Sequence, residues 1–160
     1  MSEKTVPVTG GCQCGAVRYE SNEPPNWVAY CHCRMCQKAY GNLFSIVAAF
    51  PAEALKFTHG EPKPYRSSEF TQRGFCSECG TPVSFVYDDE PEFGVLLGTL
   101  DHPEEWPPTA NHGHMGIESK IPWYEILDGL PQMTTSEAFA YLPPEIRASA
   151  AADLKDKEDK

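Results

Sequence analysis

The sequence has no long hydrophobic run. Its longest apolar stretch, LFSIVAAF at 43–50, is well short of the roughly 20 residues a bilayer-crossing helix needs, so no membrane association is expected. Positive charge is also scarce, with 13 Lys and Arg against 23 Asp and Glu and a formal charge of −10. No basic cluster is present to neutralise a row of phosphates, which argues against a nucleic-acid partner. The opening MSEKTVPVTG lacks the apolar segment of an export signal, so a cytoplasmic protein is expected. Repeats are absent, and so is the strand–helix alternation of a parallel βαβ frame.

Proline and cysteine, by contrast, are abundant. Fifteen prolines and twelve glycines in 160 residues favour short elements joined by turns. Strands are expected at AVRYE (16–20), WVAYCHC (27–33), NLFSIVAAFP (42–51), KPYRSSEF (63–70), TQRGFC (71–76), TPVSFVYD (81–88) and EFGVLLGTLD (92–101). PAEALKF (51–57) suggests one helical turn, and the chain from 102 to 133 reads as irregular. The expected architecture is all-β, of many short, mostly antiparallel strands. A flexible leader over 1–9 is expected before a domain at 10–133. A partly helical or disordered extension over 134–160 follows, charged and rich in alanine.

Seven cysteines in a reducing compartment do not suggest structural disulfides, and an odd number cannot pair completely within one chain. They fall into three clusters: Cys12 and Cys14, then Cys31, Cys33 and Cys36, then Cys76 and Cys79. Cys-x-Cys on a strand points two thiols to one side, and Cys-x-x-Cys wraps a tight turn around an ion. Gly15 and Gly80, each directly after a cysteine, allow the positive φ such turns require. The seven thiols divide most simply into four and three. Cys12, Cys14, Cys76 and Cys79 make a closed structural zinc site joining segments about 62 residues apart, a separation at which a cross-link is worth most. Cys31, Cys33 and Cys36 hold a second zinc from one short segment and leave its fourth position open, the arrangement of a catalytic site. Two zinc ions per chain are therefore expected.

Two alternatives stay open at this level. A Cys-x-x-Cys can serve thioredoxin-like redox chemistry, or a histidine can complete the second site and make it structural. His32, between two ligands, would face away from the metal on a strand, whereas His112 and His114 could approach from a distance.

The segments GGCQCGAVRYE, YCHCRMCQKAYG, FCSECGTPVSF and HMGIESKIPWYEILDGLPQM follow in an order and spacing that resemble the glutathione-dependent formaldehyde-activating enzyme family, which includes centromere-protein-V-like proteins. The resemblance runs from about Gly10 to Met133. It implies a zinc fold described as a β-tent, with Cys12, Cys14, Cys76 and Cys79 on a structural ion and Cys31, Cys33 and Cys36 on a catalytic one. A late histidine followed by Ser-Lys-x-Pro-Trp is matched by His114, Ser119, Lys120, Pro122 and Trp123. The implied activity joins glutathione and formaldehyde as S-(hydroxymethyl)glutathione, formally the work of a carbon–sulfur lyase.

Coordination by zinc deprotonates a thiol outright, so the open position would hold a substrate sulfur as a nucleophile for an aldehyde carbon. Glutathione is anionic, and Arg34, Lys38, Arg73 and Lys120 are the candidate cations, with His114 and Trp123 as further substrate-binding candidates. Trp106 is a second candidate wall for the pocket. The competing functions are a zinc-stabilised binding module without catalysis and a glutathione carrier. Oligomeric state is not legible.

Overall fold

A computed structural model describes residues 6–88 and 90–141. Eleven short strands build two sheets among the described residues. The smaller contains β1 (Val8–Gly11), β2 (Arg18–Ser21) and β5 (Leu55–His59), all antiparallel. The larger runs in the order β11 (Gln132–Met133), β10 (His114–Met115), β3 (Trp27–Cys31), β4 (Ser45–Pro51), β9 (Glu92–Leu96), β8 (Pro82–Tyr87), β7 (Thr71–Phe75) and β6 (Lys63–Arg66). Its pairings are antiparallel except for the two-residue contacts that β10 makes with β3 and with β11. The helices are short: α1 (Arg34–Tyr40) and α2 (Thr135–Ala138). No described helix is long and apolar enough to cross a membrane.

β4 lies centrally because its sequence suits burial on both faces. SIVAAFP is an almost unbroken apolar run, where a strand with one wet face would alternate. β6 closes one edge with KPYR, exposed at all four positions and carrying a lysine and a proline, residues that discourage further strand pairing. The core joins Val8, Tyr19, Val28, Ala48, Phe50, Val83, Val95, Leu100 and Trp106, and Cys12 and Cys76 are part of it. The two sheets are also tied by polar contacts. Arg18 donates to both carboxylate oxygens of Asp101, and the Thr9 hydroxyl donates to the same carboxylate at 2.6 Å.

Four expectations need correction. PAEALKF forms no helical turn: residues 52–54 make a hydrogen-bonded turn and Leu55 begins β5, which pairs with β2. Cross-strand partners outweigh the local propensity of that segment. The strand expected through Cys33 ends at Cys31 and gives way to α1, which sequence reading did not anticipate. Val8 and Thr9, expected within a flexible leader over 1–9, belong to β1 and pair with Ser21 and Glu20, and residues 1–5 lie outside the described residues. Trp106 does not line the triad cavity; it is buried in the core. Of the extension, α2 lies at its start, and the alanine-rich, charged tail from 142 lies outside the described residues.

Candidate metal centres

The sulfur atoms of Cys12, Cys14, Cys76 and Cys79 lie within 4.8 Å of one another. Two tight turns present them. One follows β1, where Gly15 takes φ +81°; the other follows β7, where Gly80 takes φ +76°. The Gly15 amide donates back to the Cys12 carbonyl, three residues earlier, and the Gly80 amide to the Cys76 carbonyl, four residues earlier, so each turn closes on the first of its two thiols. Cys12 and Cys14 sulfurs are 3.6 Å apart, and Cys14 and Cys76 sulfurs 3.8 Å. With zinc–sulfur bonds of about 2.3 Å, a tetrahedron has sulfur–sulfur edges of about 3.8 Å. The donor set therefore fits a four-thiolate zinc. The Thr81 hydroxyl and amide lower the Cys79 thiol to about 6, which favours the thiolate a metal requires. This group joins the small sheet to the β7–β8 turn of the large one.

Cys31, Cys33 and Cys36 form the second group, with all three sulfurs within 4.8 Å. Cys31 ends β3, flanked by Met115 of β10 and Ser45 of β4. Cys33 caps α1, its sulfur accepting from the Cys36 amide at 3.4 Å. Cys36 sits in the first helical turn, and Gly41 ends the helix at φ +60°. A strand end, a cap and one helical turn thus aim three thiols inward. Gln37 fixes this segment, its amide nitrogen donating to the His32 carbonyl at 2.7 Å and the Ser119 carbonyl at 2.9 Å. Gly116 passes so close that a Cβ there would sit 2.9 Å from the Cys33 nitrogen.

Arg73 completes the environment of the triad. Its guanidinium donates to the Cys36 sulfur at 3.5 Å, to the Ser67 hydroxyl at 2.9 Å and to the Tyr40 hydroxyl. It is only 2% exposed and lies against the faces of Tyr40 and Phe85. Burial opposes its charge, but Cys36 and Tyr40 hold its pKa above the ordinary arginine value. Reciprocally, Cys31 and Cys33, and then Arg73, draw the Cys36 thiol well below its usual range. Three thiolates around a divalent ion would leave one negative charge, which this buried guanidinium would balance.

All three thiols line one enclosed cavity of about 50 Å³. Its walls are mostly apolar, including Trp27, Val47, Phe70, Phe85, Tyr87 and Phe139, and among the described residues Arg73 is its one charged lining residue. Trp27, Phe139 and Thr135 escaped sequence reading. A wall built from β3 and from α2 with the turn after it has no local signature.

No histidine joins either thiol group among the described residues. His32 is buried and shares a 2.8 Å hydrogen bond with His114, whose other ring nitrogen bonds Asp128 at 2.8 Å. Burial, then His114 and Lys120, lowers His32 to about 4, so it is neutral at pH 7. His114 stacks on Tyr30, and His112 stacks on Trp27. Lys120 donates to the Ile121 and Tyr124 carbonyls, and Trp123 is 73% exposed. Neither Lys120, His114 nor Trp123 lines the triad cavity. Arg34 and Lys38 line a separate open groove with Arg66, and Met35 belongs to both the groove and the cavity.

The sequence profile described as "Glutathione-dependent formaldehyde-activating enzyme" matches residues 7–115, a span that takes in all seven cysteines. The chain belongs to this family. A Halomonas elongata protein that carries the name of a glutathione-dependent formaldehyde-activating enzyme is 30% identical over 127 residues, covering 73% of this chain and 79% of that one. An uncharacterized lyase of Schizosaccharomyces pombe is 28% identical over 78 residues, or 49% of this chain and 56% of its own length. A crystal structure of a Rhodobacter sphaeroides protein aligns with 58% of this chain and 87% of that one, at 26% identity and a TM-score of 0.48.

Proposed function

We propose that this chain is a zinc-dependent carbon–sulfur lyase that makes and breaks the adduct of a small thiol and an aldehyde, with S-(hydroxymethyl)glutathione as the reference substrate. The observation that carries this reading is the placement of three thiols on the wall of an enclosed cavity. Family membership and the names of the relatives support the reaction class. Zinc at Cys31, Cys33 and Cys36 would keep sulfur deprotonated at neutral pH, including that of a thiol in its fourth position. Cys12, Cys14, Cys76 and Cys79 hold the structural ion in this reading.

The remaining work falls to the chain's own side chains. The apolar walls exclude water, which strengthens every charged contact inside. Arg34 and Lys38, in the groove beyond Met35, attract the carboxylates of glutathione. The substrate sulfur attacks the carbonyl carbon, a C–S bond forms, and the carbonyl π pair moves to oxygen, which takes up a proton. The reverse step returns thiol and aldehyde. A guanidinium has five N–H donors, and the protein partners of Arg73 take one from each nitrogen. A donor remains on each terminal nitrogen for the substrate oxygen. His32, hydrogen-bonded to His114 and through it to Asp128, positions the thiol-bearing segment without entering the cavity. A cytoplasmic setting, in which the thiols stay reduced, belongs to the same reading.

Glutathione added to the cobalt-substituted protein tests this directly. Its arrival should change the sulfur-to-cobalt absorption, and exchange between free and adducted glutathione should quicken in NMR spectra with formaldehyde present. An absorption spectrum unchanged at saturating thiol would overturn the proposal.

A further inference from the structure

We propose that Met35 controls entry to the triad: a thiol reaches Cys31, Cys33 and Cys36 from the cationic groove by displacing the Met35 side chain, so the residue at 35 sets how much bulk beside the sulfur is admitted. The inference rests on the thiol–aldehyde reading and names a specificity-determining residue for it.

Space is the first argument. A cavity of about 50 Å³ is filled by about three to five water-sized groups. An ion, the thiol sulfur and the carbon and oxygen of an aldehyde take up that room. The rest of the thiol must leave through the wall, and the place where it leaves decides which thiols enter. The groove holds about 350 Å³, within the range of small-molecule sites at about 300–1,000 Å³. Met35 is the residue that the groove and the cavity have in common. A recess on the Trp27 and Tyr87 side offers only about 20 Å³, space for about one or two water-sized groups.

Charge is the second. Arg34 and Lys38 line the groove. Arg34 bonds the uncharged side chain of Gln37, and Lys38 is exposed, so both positive charges are available to a substrate. The recess on the other side carries Glu90 and Glu92. An anionic thiol such as glutathione is drawn to the groove and repelled by the recess.

Mobility is the third. The indole N–H of Trp27 donates to Glu92 at 2.8 Å, and its ring stacks on His112. Tyr87 packs against Phe70, Phe85 and Phe139. A further cavity of about 320 Å³ meets the triad cavity at Arg73, whose guanidinium is fastened to Cys36, Tyr40 and Ser67. Met35 is the contrast, with an unbranched side chain, three rotatable bonds and a polarizable sulfur. The backbone beneath it is held by the Cys33 cap and by the two hydrogen bonds of Gln37. Met35, Lys38 and Ala39 share one face of α1 and all line the groove. A swing of the Met35 side chain along that face opens the way and leaves the three thiols in place. On capture the thiol gives its proton to solvent and its sulfur joins the three thiolates at the ion; no other bond changes.

The test follows thiol capture by the full cobalt-substituted chain in stopped-flow absorption. The probes are 3-mercaptopropionate and 3-mercapto-3-methylbutanoate, which differ only in two methyl groups beside the sulfur. The native protein should capture the branched thiol about tenfold more slowly. Met35→Ala should shrink that gap to about threefold or less, and Met35→Trp should slow both thiols about tenfold. Met35→Leu, close to the native volume, should keep the native gap. An unaltered cobalt spectrum before thiol addition shows that a variant still holds its site, and if Met35→Trp disturbs it, Met35→Ala against Met35→Leu decides. A gap of the same size in Met35→Ala and Met35→Leu overturns the inference. If capture follows the Met35 series and no aldehyde adduct is turned over, the lyase reading falls and the role of Met35 stands. If no thiol alters the spectrum of any variant, both fall.

Discussion

Arg73 shows at the scale of one residue how the triad becomes a chemical site. A buried cation costs stability unless it is paired, and here its partner is the Cys36 sulfur, 37 positions away. Removing a group that supports a metal ligand typically costs 10–100-fold in affinity. Arg73→Met should therefore speed loss of the triad ion to a chromophoric chelator by about that factor, while Arg73→Lys, which keeps the charge, should recover part of it. Equal release from both variants and the native protein would deny Arg73 this role. The arginine stood out in the sequence as a cation ahead of FCSEC, but nothing there linked it to Cys36. The cysteines themselves were legible because ligand spacing is a local property, written within two to five residues. Arg34 and Lys38 were legible as cations, yet their separation from the cavity depends on how α1 turns after Cys33.

At the scale of elements, legibility followed the range of the contacts that decide each one. β4 declared itself through an apolar run that needs no partner to be recognised. β5 did not, because its strand conformation comes from pairing with β2 against a segment of helical character. α1 was hidden for a different reason. With a cysteine as its cap and seven residues in all, it has no room for a hydrophobic period, and only Gly41 marks its end. The contact between Arg18 and Asp101 is also an element-level feature, since it ties β2 to the chain just after β9. Hydrogen bonds from Arg18 and then Thr9 hold the Asp101 carboxyl at about 2, against an ordinary 3.8. A lowered folded-state pKa gives stability that is present above the ordinary value and lost as pH falls through the lowered one. Both partners are about one-third exposed, so Asp101→Asn should cost only about 1 kcal/mol at pH 7. Urea midpoints should differ fully at pH 5 and converge near pH 2; a gap unchanged with pH would refute the assignment.

For the molecule as a whole, the two thiol groups hold unequal positions. The four-thiol group bridges the sheets and places Cys12 and Cys76 in the core, so the binding energy of a metal there would be folding energy. The triad is contained in one segment at the end of β3. Cys76→Ser should therefore broaden or abolish cooperative thermal unfolding, while Cys33→Ser should leave a folded protein of native far-ultraviolet dichroism with one ion weakly held. Equal collapse of both variants would erase the distinction. The all-β architecture and the division of the thiols were readable because strands and ligand turns leave short-range marks. The cavity's far wall was not, since it is completed by the segment around α2, about one hundred residues beyond the triad.

The bridging of two sheets by thiols from opposite ends of the first eighty residues also fixes an order of events during synthesis. A growing chain possesses every triad sulfur as soon as Cys36 emerges, but the interlock between sheets stays half-built until Cys79 follows. Ion capture at the triad can thus precede any lasting tertiary structure. An ion held by the later group would act as a latch, and chains made without metal would stall at that last step.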